Sequence, residues 1–283
     1  MIQTITVENV KELHLLYFID KSIPTKVLKK NNNKNYLEKW REFIKIHKPV
    51  DYRVEKYIIN ERLKNGTYDA YSLAWKAGRL SYNEYNKDVE FCGFSDKDKC
   101  GNSIYRNEYG NTILKESFKE YYDNIKGCSK EINDKINTED DDKWEVIYNK
   151  AYSKVPVNMG PVNIINALFF ITKGKAPIYD RFVHRAAKAL FMEISPSDVY
   201  LGSNPEKKEV DKVVKMYKEY MILLKKLFPK EIGKDNCFIS RELDRALWVY
   251  GHANNKWMDN NLGTCPPSKA GQKMHKSKCV NVI

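Results

Sequence analysis

Apolar residues recur with helical spacing along most of this chain, and that spacing predicts a protein built almost wholly of helices. Residues 6–19 place Val10, Leu13, Leu16 and Phe18 or Ile19 on one side, with Thr6 as a candidate cap. Residues 35–47 repeat the pattern through Tyr36, Leu37, Trp40, Phe43 and Ile44 until Pro49 ends it. Another helix begins at Val50–Lys64. After the Asn65-Gly66 turn, a short helix carries Leu73 and Trp75 and is stopped by Gly78. Helical spacing returns over 111–126 and 139–153, where an acidic run suits a helix N-terminus. Residues 161–172 are nearly all apolar, with Pro161 in the first turn. Residues 181–190 and 205–227 follow, the latter with Pro205 in its first turn. Ser240 then caps a last helix that Gly251 stops.

Three stretches break the spacing. Residues 80–111, rich in Tyr, Gly, Asn and Asp, predict an irregular excursion or a small β-hairpin. Residues 29–35 read as an exposed loop and 252–283 as a polar, lysine-bearing arm. No repeat is visible, and strands do not alternate with helices as a parallel sheet requires. The fold class is therefore mostly α.

Composition narrows the function. The chain has 283 residues, 42% apolar, enough for a substantial core. It holds no run of about 18 uncharged apolar residues, so no membrane span is expected. Its start lacks a basic segment followed by an apolar one, so the expected location is cytoplasmic. A formal charge of +12 favours a polyanionic partner, nucleic acid before membrane surface, although solvated lysine faces give the same count. The six cysteines form no CxxC pair and read as reduced thiols. A metal site on Cys265, His275 and Cys279 is a weaker alternative; no metal and no cofactor is expected.

The chemistry concentrates in Lys154–Leu190, the most apolar stretch. Helix, VPVNMG connection and helix form a device that can present backbone N–H groups, near Asn158, Gly160 and Val162, to a phosphate. Lys173 and Lys175 follow in a turn, and Asp180 stands at the mouth of a helix carrying Arg181 and His184. Asp180 has two readings, a helix cap or a reaction centre, and one aspartate can serve as both. Trp75, Lys76, Tyr179, Trp248 and Tyr250 are candidates for a stacking, phosphate-lined pocket, or simply core aromatics with snorkelling bases.

Residues 174–190, GKAPIYDRFVHRAAKAL, resemble the turn and helix of the helix–hairpin–helix (HhH-GPD) superfamily of DNA glycosylases, in its 8-oxoguanine- and adenine-excising members. The twenty-residue spacing from Gly160 to Asp180 is close to that family's hairpin-to-aspartate distance. The resemblance implies a two-lobed helical fold. Residues 1–110 would form an N-terminal helical region, 111–200 the hairpin and aspartate region, and 201–283 C-terminal helices packing back on the first lobe. It implies Asp180 as the catalytic aspartate and Gly160, Val162 and Asn163 as the phosphate-gripping hairpin. Asn163 falls where bifunctional members carry an imine-forming lysine, which implies water as the nucleophile and no lyase step. The expected protein is a monomeric, monofunctional DNA glycosylase. It would flip out a damaged or modified base, in repair or in antiviral defence against modified phage DNA. The alternative is a non-catalytic DNA-binding helix–hairpin–helix protein.

Overall fold

The computed structural model describes residues 5–29, 37–38, 40–41, 50–76, 78–91, 116–140, 142–153 and 160–253. The connection at 154–159, with Asn158, lies outside them. So do most of the excursion after residue 91 and the tail from residue 254, with Cys265, His275 and Cys279.

The described chain is mostly helical. A 3-10 helix over Val10–Tyr17 is followed by α1 (Thr25–Lys29), α2 (Tyr52–Tyr57), a π-helical turn (Ile58–Leu63) and α3 (Ala70–Lys76). Then come the antiparallel strands β1 (Leu80–Asn83) and β2 (Asp88–Phe91), pairing Leu80 with Phe91 and Asn83 with Asp88. The remaining helices are α4 (Glu116–Gly127), α5 (Ser129–Ile136), α6 (Lys143–Tyr152), α7 (Pro161–Ile171), α8 (Arg181–Met192), α9 (Val210–Leu227) and α10 (Arg241–His252). No helix among the described residues is long and apolar enough to cross a membrane.

Helix α7 is the centre of the core. Every residue from Ile164 to Ile171 is buried, so this helix has no solvent face. α3, α5, α6 and the π-turn surround it. Its one buried amide, Asn166, donates to the Ser72 carbonyl of α3 at 3.4 Å. α7 ends in a Schellman motif, with Gly174 N bonded to Phe169 O and Lys173 N to Phe170 O. Gly174 has a φ of +85°, and a Cβ there would lie 2.6 Å from Cys237 Sγ, so glycine is required twice over.

The second packing unit joins the two ends of the described chain. The first 3-10 helix lies along α10, and α10 lies along α8. Trp248 packs edge-on to Tyr17 at 5.1 Å, and Phe182 stacks on His252 at 3.5 Å between ring centres.

Several sequence expectations need correction. The first helix is 3-10, because Val10, Leu13 and Leu16 recur every three residues, which a three-residue turn gathers on one face. α9 starts at Val210, not Pro205: the Glu209 carboxylate accepts the Glu206 amide at 2.9 Å and closes a turn ahead of the helix. α10 ends at His252, one residue past the expected stop, so Gly251 lies within its last turn. α5 was not foreseen, since Ile132 and Ile136 are its only buried residues.

Candidate active site

The position of Asp180 is set from three directions. Behind it, residues 176–179 are an extended, buried segment. Thr172 Oγ1 accepts the Ala176 amide at 2.9 Å, and from α9 the Tyr217 and Tyr220 hydroxyls donate to the Pro177 and Ile178 carbonyls. Ahead of it, the side chain caps α8: Oδ1 accepts the Phe182 amide at 2.8 Å. Across from it, α3 delivers Lys76, whose Nζ lies 2.9 Å from Oδ2. The two side chains are 14% and 22% exposed, so the pair sits in a recess that solvent still reaches.

Burial alone would raise the Asp180 carboxyl. The Lys76 ammonium, the Phe182 amide and the charge of His252 outweigh it and hold the group below the usual carboxylate range. Asp180 is therefore ionised near neutrality. Such a carboxylate is a weak proton acceptor and a strong electrostatic partner for a developing cation.

Lys76 is placed by its neighbour. The Trp75 indole N–H donates to Glu55 Oε2 at 2.9 Å, and its ring lies near-parallel to Phe169 at 6.4 Å. Glu55 is 1% exposed. Its other oxygen accepts from Arg241 at 2.8 and 3.1 Å and from Arg245 at 3.3 Å. Burial works against the Glu55 charge, yet the two guanidinium groups and the indole keep its carboxyl below the usual range. Arg241 also bonds Asp244, whose carboxyl burial pushes up. Sequence reading did not single out Glu55, Arg241 or Arg245. A glutamate beside the apolar positions Val54 and Ile58 is the one local hint of a buried role.

The other expected site residues fall into two groups. Gly160 caps α7 with an extended backbone and open space around its Cα, and Val162 and Asn163 occupy the half-buried first turn. The Asn163 amide is bonded to Gly160 O at 3.0 Å, and its side chain shares no hydrogen bond with Asp180. Lys173 and Lys175 are exposed, the latter on Asn137 Oδ1 at 2.8 Å. Arg181 is tied to the Gly202 carbonyl at 2.6 Å and to Asn204.

The remaining residues are in the core, which corrects their expected roles. His184 is 2% exposed and shares a 3.1 Å hydrogen bond with the Tyr179 hydroxyl, so it does not face a DNA surface. Tyr179 is 1% exposed and packs edge-on to Tyr220. Trp75 spends its indole N–H on Glu55, and Trp248 lies between Tyr17 and His252. His184, Tyr179 and Trp75 offer no open stacking face, and Trp248 is half-buried against the core. Of the expected pocket residues, Lys76 alone meets Asp180. No cluster of three or more metal-ligating side chains forms among the described residues.

Compared with protein families, curated proteins and solved structures, the chain matches none.

Proposed function

We propose that this protein is a monofunctional DNA glycosylase with Asp180 as its catalytic carboxylate. The observation that carries the reading is the ionised, solvent-reached carboxylate at the mouth of α8, held by a rigid buried segment. Breaking the bond between a base and C1′ leaves the electron pair on the base and positive charge on the sugar. A fixed carboxylate stabilises that charge; water then attacks C1′, and the proton it loses passes to the departing base, which holds the electron pair of the broken bond. The lowered pKa of the carboxyl makes it a weak base and favours this electrostatic role over proton abstraction. Asn163 has no amine, so it cannot form an imine, and hydrolysis is the expected outcome.

Lys76 must yield during the reaction, because an ammonium 2.9 Å from the carboxylate opposes a cation forming there. A DNA phosphate beside the extruded nucleotide is the natural receiver of that charge.

A second reading has its own support. Both Asp180 oxygens are already used, one in the cap and one in the ion pair, as in a purely structural aspartate of a DNA-binding module. Asp180→Asn separates the two. Asparagine is as good a cap as aspartate, so the fold should persist. Mass spectrometry of bases released from a panel of modified DNAs should show release by the wild type and a loss of about a hundredfold or more in the variant. Undiminished release would refute the catalytic assignment. No release by either protein, with tight duplex binding, would favour the binding module.

A further inference from the structure

The buried carboxylate of Glu55 is also part of the wall of a cleft of about 520 Å³ between α2, the start of α10 and Lys11 of the first 3-10 helix. A smaller recess of about 390 Å³ adjoins it and shares Tyr52, Glu242 and Arg245. Both volumes fall in the range of small-molecule sites.

The two compartments differ in chemistry. In the larger one, Lys11 and Lys234 are both answered by Glu231, and Arg241 by Glu55 and Asp244. Lys56, on the rim, has no ion-pair or hydrogen-bond partner among the described residues. Arg245, on the shared wall, is 7% exposed and makes one hydrogen bond, to Glu55; its Nε has none. The Nε itself is sealed from the cleft; an anion there meets the rest of the guanidinium, whose charge shares the single Glu55 oxygen with Arg241. The opposing charge there is Glu242, whose side chain is 53% exposed and reaches only Lys11, at 4.0 Å. The smaller recess is walled by His14, Leu15, Phe18, Val27 and Tyr52, with Glu242 and Arg245 on the shared wall and Lys26, which has no ion pair or hydrogen bond among the described residues, at its edge.

The π-turn belongs to this construction. Its i→i+5 bonds, Lys64 N to Ile59 O and Thr67 N to Arg62 O, insert an extra residue per turn. Ile59 and Asn60, three and four residues after Lys56, share its helix face and line the cleft beside it.

We propose that this cleft binds a mononucleotide, with its phosphate between Lys56 and Arg245 and its base in the recess against Leu15, Val27 and Tyr52. An inorganic anion would leave the apolar recess empty. A neutral aromatic molecule would leave the Arg245 N–H groups unanswered. A phosphate joined to a planar ring satisfies both. The site does not depend on Asp180 being catalytic.

Calorimetric titration of the full chain with AMP, GMP, CMP and UMP tests it. At least one should bind, and its nucleoside and inorganic phosphate should each bind about tenfold more weakly or worse. Lys56→Glu and Lys26→Glu, both at exposed positions that leave the core alone, should each weaken the nucleotide about tenfold. Asp180→Asn should bind it as the wild type does. The proposal is overturned if no nucleotide binds, if phosphate alone binds equally well, or if Lys56→Glu leaves affinity unchanged.

Discussion

At the residue scale, the ion pair of Lys76 and Asp180 decides how the candidate site titrates. Replacing Lys76 with Gln keeps a hydrogen-bond donor but removes the charge that outweighs burial at Asp180. The carboxyl then protonates at higher pH, so the acid limb of base release against pH should move upward. A rate profile with an unmoved limb would show that Lys76 does not maintain the Asp180 charge. His184 makes a different prediction. Burial, with Lys188 and Arg181 adding to it and Glu219 opposing, lowers its pKa from 6.5 to about 4. Between those values the unfolded chain binds a proton there and the folded one does not. Stability present above pH 6.5 is therefore lost as pH falls towards 4, by about 3 kcal/mol. Urea unfolding at several pH values should show this slope in the wild type and a shallower one in His184→Gln; equal slopes would count against it. The Asp180 cap was readable in the sequence, because a proline turn, an aspartate and a helix stand in order. Its partner was not, since Lys76 lies 104 residues earlier.

At the scale of elements, α8 and α10 meet where Gly251 faces the backbone of Phe182. A Cβ on Gly251 would sit 1.9 Å from the Phe182 carbonyl oxygen, which no side-chain rotation can relieve. Gly251→Ala must push the helices apart next to the Asp180 cap, at a cost of about 1–3 kcal/mol. Thermal unfolding measures it, and a variant as stable as the wild type would mean that this contact is not tight. The sequence places the helix end to within a residue of Gly251 but gives no sign of the glycine's contact with Phe182. Glycine after an apolar run signals a helix end, whereas close approach to another backbone leaves no local signal. α7 shows the opposite case. Its unbroken apolar run could be read at once as a buried helix, because burial on all sides needs no partner to be specified. The loss of helical spacing over 80–111 was also legible, with a small β-hairpin as one of its two readings, and β1 and β2 fall at its start.

At the scale of the molecule, the mostly helical class followed from spacing, while the pairing of helices did not. Composition gives the overall charge of +12, and under the proposed function the number of phosphates that basic side chains neutralise sets the response to salt. With about four phosphate contacts, affinity for a duplex should fall roughly a hundredfold between about 50 and 200 mM salt. Filter binding or fluorescence anisotropy across that range checks it, and salt-independent binding would argue against a phosphate-gripping surface. The joining of the first and last described elements has a consequence during synthesis. Glu55 meets Arg241 across 186 residues, and Lys11 meets Glu231 across 220. A ribosome making this protein exposes the N-terminal third long before α10 leaves the exit tunnel. Until then Glu55 must stay hydrated and the first 3-10 helix uncovered. The fold therefore locks only once α10 is outside the ribosome, and its most vulnerable interval falls before that.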